Sequence, residues 1–113
     1  MLKEATLSHA KDAAQLALLL WPNHHLEEFI QNMKKIIIDQ NSTVFLAYNE
    51  EQAIGFAQCQ LRNDYVEGTD SSPVGYLEGL FVLENYREKG IAKNLVQACE
   101  KWSKEKGCTE FAR

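Results

Sequence analysis

The segment Tyr76-Leu77-Glu78-Gly79-Leu80-Phe81-Val82-Leu83 runs straight into Glu84-Asn85-Tyr86-Arg87-Glu88-Lys89-Gly90-Ile91-Ala92. It reads as an apolar strand, a short turn, a loop of the form Arg-x-x-Gly-x-Ala, and the start of a helix. A helix N-terminus carries unpaired N–H groups and about half a positive charge. Placed after a strand and a small-residue loop, it makes a pocket for a diphosphate. Gly90 and Ala92 keep bulky side chains away, and Arg87 and Lys89 add positive charge. The same residues also suit a plain loop-to-helix junction with solvated basic side chains, and so short a motif does not choose between the two. Two better-defined phosphate loops are excluded, because no Gly-x-Gly-x-x-Gly follows the strand and no Gly-Lys-Ser/Thr occurs.

The strand itself is apolar on both faces, which places it in the middle of a sheet. Gly79 in its interior predicts a bulge or a close backbone approach. Glu78 is the exception to its apolar character. A carboxylate there is costly unless it is paired or solvated, so it marks either a place for a cation or a partly exposed strand position.

The rest of the chain supplies the other layers. Residues 2–6 read as a first strand, with Ser8 as N-cap of a helix over 10–20 that Pro22 ends. Leu26, Phe29, Ile30, Met33 and Ile37 recur at helical spacing, predicting a helix over 26–38. Strands over 43–48 and 53–62 form a hairpin. Residues 63–73 are polar and irregular, long for a connection in a domain of this size; they are either functional or a mobile surface link. A third long strand covers 74–83. The helix over 90–106 carries Ile91, Leu95, Cys99 and Trp102 in a stripe and stops at Gly107, and a last strand begins at 108–112. The order predicts one α/β (α+β) domain over 1–113, a mixed, mostly antiparallel sheet flanked by helices. Its final strand lies parallel to the one starting at Val74, through a right-handed crossover.

With 113 residues, 45% apolar and 25% charged, the chain has the composition of an ordinary soluble domain. Its formal charge of −4 argues against a general nucleic-acid surface and suits a polycationic partner. Cys59, Cys99 and Cys108 are odd in number and lack Cys-x-x-Cys spacing, which fits a reducing compartment, the cytoplasm. The N-terminus lacks a signal-peptide core. The apolar run over 16–21 is far shorter than the ~20 residues that span a bilayer. No metal site is expected, since His24 and His25 have no third ligand at suitable spacing.

The run Phe81-Val82-Leu83, Tyr86-Arg87, Gly90-Ile91-Ala92, Leu95-Val96 resembles the acetyl-CoA signature of the GNAT superfamily of N-acetyltransferases. The resemblance implies acetyl-CoA as acetyl donor. Leu80, Phe81 and Val82 would meet the acetyl and pantetheine groups. The N–H groups of Glu88, Lys89, Gly90, Ile91 and Ala92 would meet the pyrophosphate, with Arg87 at the mouth.

A narrower resemblance runs along the whole chain. Trp21-Pro22, then Leu61-Arg62, Asp64-Tyr65-Val66-Glu67-Gly68-Thr69, Ser72-Pro73-Val74, Tyr76 to Val82, and Cys108 to Ala112 look like bacterial aminoglycoside 6'-N-acetyltransferases, enzymes of antibiotic resistance. It implies that Glu78 binds an ammonium group or takes a proton from the attacking amine, and that Trp21 and Tyr65 contact the aminoglycoside. His24, beside Trp21, is read as a further substrate contact. Asp64, Glu67 and Asp70 put carboxylates in one loop; these are solvated by default but suit a polycation. The amine would attack directly, with no acyl-enzyme, and a strand N–H near Val82 would polarise the thioester carbonyl. The expected partners are a small polycationic aminoglycoside and a second copy of the chain in a homodimer, with no nucleic acid and no membrane. Family members continue past the strand in which this chain ends, so a C-terminal truncation lacking the last helix and strands is expected. Two other readings stay open: an N-acetyltransferase acting on another amine, such as a polyamine or peptide, and a non-catalytic coenzyme A-binding lobe.

Overall fold

In the computed structural model, which describes residues 1–63 and 68–113, consecutive strands lie side by side. They are β1 (Leu2–Glu4), β2 (Ser42–Asn49), β3 (Gln52–Arg62), β4 (Val74–Val82) and β5 (Phe111–Ala112). They form one sheet in the order β1-β2-β3-β4-β5, antiparallel up to β4. β5 pairs with β4 in parallel, at Gly75 with Phe111 and Tyr76 with Ala112. Helices α1 (Ala10–Leu20) and α2 (Leu26–Ile38) precede β2, and α3 (Ile91–Glu105) joins β4 to β5.

The sheet separates two apolar clusters. On one face Val44, Leu46 and Phe56 pack against α1 and α2, with Phe29 and Met33 from α2. Ala10, Ala13, Ala14 and Ala17 recur at helical spacing along α1 and are all buried, so this helix presents a stripe of methyl groups and approaches its neighbours closely. On the other face Ala57, Cys59 and Leu80 meet Leu95, Cys99 and Trp102 of α3. Burying one large side chain such as Phe56 contributes about 1.5–3 kcal/mol.

The element ends differ from the sequence reading in local ways. Ser8 does not cap α1. A 3-10 turn over Leu7–His9 precedes the helix, and the Thr6 N–H donates to Nδ1 of His9 at 2.9 Å. A side-chain acceptor three residues on replaces the hydroxyl cap. β5 starts at Phe111, not Cys108, because Cys108 still belongs to the end of α3. The Gly107 N–H donates to Lys104 O at 3.0 Å and the Cys108 N–H to Ser103 O at 3.0 Å, with Gly107 at φ 94°. This is the Schellman pattern of a glycine-terminated helix.

Candidate functional site

The ladder between β3 and β4 breaks at one residue. Gln58 lies opposite Gly79 and Cys59 opposite Leu77, so Glu78 has no cross-strand partner and forms a β-bulge. Leu77 and Leu80 on either side pack toward α3. Gly79 lies beneath Trp21, where a Cβ would meet its indole. The bulge therefore turns both Glu78 and Gly79 to the α1/α2 face, and both outcomes expected of an interior glycine occur together.

On that face lies a cavity of about 510 Å³. Gln58 and Glu78 line it from the sheet; Phe29, Met33 and Lys35 line it from α2; Trp21 and His24 come from the connection between the helices. Trp21 is half-buried, edge-on to Phe56 with ring centroids 6.3 Å apart. It stands at the C-terminal end of α1, where Pro22 ends the helix. His24 is exposed, with its ring 4.9 Å from that of Phe29. Tyr65 lies outside the described residues.

Glu78 is paired, which answers the cost of placing it in the strand. The Arg62 Nε donates to Oε2 at 3.1 Å, and Nη2 donates to Oε1 at 3.0 Å and Oε2 at 2.9 Å. The Arg62 guanidinium also lies on Tyr76, 3.8 Å from its ring centroid. Arg62 was not among the residues the sequence reading assigned to the site. Its signal is an opposite charge on the neighbouring strand, visible only once the register across the bulge is known.

Of the carboxylates in the loop before β4, only Asp70 falls among the described residues, and it is exposed as its solvated reading expects. Asp64 and Glu67 lie outside the described residues. The Asp70 N–H donates to Glu110 Oε1 at 2.8 Å. The cavity lining holds one carboxylate, Glu78, and one ammonium, Lys35. Among the described residues it is not an acidic trap.

The cofactor loop lies at the far end of β4. Gly90 is the N-cap of α3 at φ 83°, and no side chain caps that helix. Asn94 N–H donates to Gly90 O at 3.0 Å, which closes the first turn and leaves the earlier N–H groups without intrahelical partners. Glu88 also adopts a left-handed conformation, at φ 63°. Nothing stands within 4 Å of where a Gly90 Cβ would be. Glycine is therefore needed for its backbone angle, while the space in front of it is open. Lys89 lies over Tyr86, whose hydroxyl accepts from Asn49 Nδ2 at 3.0 Å. Arg87 folds back, with Nε donating to Val82 O at 2.8 Å and the guanidinium 5.5 Å from the Phe81 centroid.

Backbone direction along β4 follows from one bond. Leu83 N–H donates to Ile54 O on β3 at 2.8 Å. Antiparallel alternation then turns the Val82 N–H the other way. That is the edge of β4 that β5 covers only at Gly75 and Tyr76. Beside it a cavity of about 360 Å³ is lined by Leu80 on β4 and by Ala92, Lys93 and Val96 on α3.

A strand edge beside an uncapped helix N-terminus, with a second cavity across the same strand, is the layout of a two-substrate domain. The chain matches the acetyltransferase (GNAT) family over residues 10–113, and it belongs to that family. Aminoglycoside N(6')-acetyltransferase type 1 of Acinetobacter baumannii is 44% identical over 106 residues, covering 93% of this chain and 72% of that protein. The protein of the same name from Salmonella enteritidis is 38% identical over 111 residues, covering 98% of this chain and 77% of that one. Among solved structures, the aminoglycoside N-acetyltransferase AAC(6')-Iy in complex with CoA superposes with a TM-score of 0.96 at 38% identity, over 99% of this chain and 74% of that one. AAC(6')-Ih from Acinetobacter baumannii superposes with a TM-score of 0.92 at 42% identity, over 99% of this chain and 76% of that one. Among the described residues no helix is long and apolar enough to cross a membrane.

Proposed function

We propose that this chain is an aminoglycoside 6'-N-acetyltransferase that takes its acetyl group from acetyl-CoA, an activity of antibiotic resistance. The observation that carries the reading is that one strand carries Glu78 on its α1/α2 face and the Val82 N–H at its open edge. One faces the cavity under Trp21; the other faces the edge beside the α3 N-terminus. The relatives named above support the substrate class.

The donor site fits its ligand chemically. Uncapped N–H groups at the start of α3 and the open space before Gly90 suit a diphosphate. Leu80 and Phe81 supply apolar surface along β4. When bound, acetyl-CoA supplies an activated thioester carbonyl. The Val82 N–H donates a hydrogen bond where negative charge develops on that carbonyl oxygen. Because Arg87 is tied to Val82 O and Phe81, its role is to fix the end of β4 as well as to add charge at the mouth.

On the other side, Trp21 offers an aromatic face to a cationic sugar, with His24 at the rim. An alkyl amine is mostly protonated at neutral pH, since reference values lie near ~10. Glu78 would hold the ammonium form and take a proton from it, directly or through water. The free amine would then attack the thioester carbonyl, the C–S bond would break, and coenzyme A would leave as the thiol, taking up the proton the amine loses. Much of the rate comes from holding both partners in line. The chain acts in a reducing cytoplasm, consistent with three free buried cysteines, and as a homodimer.

The test is an acetyl-CoA-dependent assay with an aminoglycoside bearing a free 6'-amine, run beside a coenzyme A titration. Turnover with saturable cofactor binding supports the proposal. Cofactor binding without turnover on any amine favours a coenzyme A-binding lobe. Turnover on polyamines or peptides alone gives the alternative acceptor.

A further inference from the structure

We infer that Arg62 is a positioning residue of this site, holding the Glu78 carboxylate at the cavity wall so that it meets a substrate ammonium in one orientation. The inference rests on the proposed role of Glu78 and goes beyond it.

The bulge is the reason such a residue is needed. Glu78 stands outside the strand ladder, so the regular cross-strand neighbours that order a side chain are missing. Arg62, the last residue of β3, supplies the order with three hydrogen bonds to the two carboxylate oxygens. A planar guanidinium fixes a carboxylate in direction as well as distance. Arg62 is itself fixed by the Tyr76 ring beneath it. Tyr76 is anchored in turn on β4, opposite Gln60 of β3 and next to Ala112 of β5. The chain of contacts runs from the sheet through Tyr76 and Arg62 to Glu78.

Glu78 lines the cavity and Arg62 does not. The guanidinium engages the carboxylate from outside the cavity, and a carboxylate has about four acceptor directions, so some remain for a ligand. The ion pair also carries no net charge, and Lys35 adds a positive one to the wall. A cation is therefore drawn by a directed hydrogen bond to Glu78 and not by a diffuse negative field.

The variants are Arg62→Met, which keeps length and contact with Tyr76, Arg62→Lys, which keeps charge but loses the fork, and Glu78→Gln. Aminoglycoside affinity is read by calorimetry with coenzyme A present, and kcat and KM are read where turnover is measured. Coenzyme A affinity of each variant reports that the domain is folded. Arg62→Met weakens aminoglycoside binding or lowers kcat/KM by up to about a hundredfold and leaves coenzyme A affinity unchanged. Arg62→Lys recovers only part of the loss. The double variant is no worse than Glu78→Gln alone, since Arg62 acts through Glu78. Wild-type or tighter aminoglycoside binding by Arg62→Met, with Glu78→Gln impaired, overturns the positioning role, as does a double variant whose losses add. Wild-type behaviour of Glu78→Gln overturns the reading of Glu78 itself, and the inference with it.

Discussion

The indole of Trp21 lies across Gly79 so closely that a Cβ on that residue would stand 2.6 Å from Cη2. Gly79→Ala forces either the indole or the strand to move. Overpacking of this kind costs about 1–3 kcal/mol, read as a lower denaturant midpoint. Trp21 lines the cavity proposed for the substrate, so aminoglycoside KM should rise while coenzyme A affinity holds. Unchanged stability would contradict the close contact.

Gly90 separates backbone conformation from space. Its φ of 83° strains any residue with a side chain, although the Cβ itself meets nothing. Gly90→Ala costs about 1–2 kcal/mol, and Gly90→Asn less, because asparagine tolerates the left-handed region. Both weaken coenzyme A binding, since the added side chain enters the space open to the diphosphate. Thermal unfolding and calorimetry check the two effects separately; normal coenzyme A affinity in both variants would contradict the loop assignment.

Glu110 ties Asp70 and Ser71 to the end of the sheet. The Ser71 hydroxyl donates to its Oε1 at 2.5 Å and the Asp70 N–H at 2.8 Å. These bonds, the Ser71 hydroxyl first, hold its carboxyl below the ordinary range. A depressed carboxyl favours the fold above its unfolded value, near ~4.3, and the benefit disappears as pH falls through the folded value. The stability difference between the wild type and Glu110→Gln should therefore be present at neutral pH and vanish in acid, measured by urea titration across that range. A difference that grows on acidification would contradict the sign.

The cysteines are packing residues. Cys59 and Cys99 are fully buried, and the hydrogen bond from Cys59, together with burial, raises the Cys99 thiol. Burial likewise raises Cys108. A thiol-reactive dye at neutral pH should modify none of the three in the folded chain and all three after denaturation. Fast labelling without unfolding would contradict this.

The elements that frame the proposed donor side were legible because they are local. Strand, turn, loop and helix follow one another within the stretch from Leu80 to Ala92, and each junction has its own signal. Gly90 was flagged for the room it leaves, whereas its left-handed angle is the stronger demand. The cavity proposed for the substrate draws on Trp21, Phe29, Met33, Gln58 and Glu78, which no spacing rule joins. Resemblance pointed to Trp21 and Glu78 there. Phe29 and Met33 carried only a helical pattern, the same as that of any core residue, and nothing marked Gln58. Gly79 announced an irregularity, but the residue that bulges is its neighbour, and Arg62 acquires a partner only through the resulting register. Helix and strand ends were the least legible: the His9 contact to Thr6 and the Schellman end of α3 depend on bonds between side chain or backbone groups that propensity does not rank.

The most direct measurement of the central claim is the affinity of a bisubstrate compound, coenzyme A joined covalently to an aminoglycoside. If one strand presents the cofactor edge and the Glu78 cavity in line, both halves bind at once. The compound should then bind at least about 100-fold more tightly than coenzyme A alone, with most of that gain lost in Glu78→Gln. A compound that binds no better than coenzyme A would contradict the account.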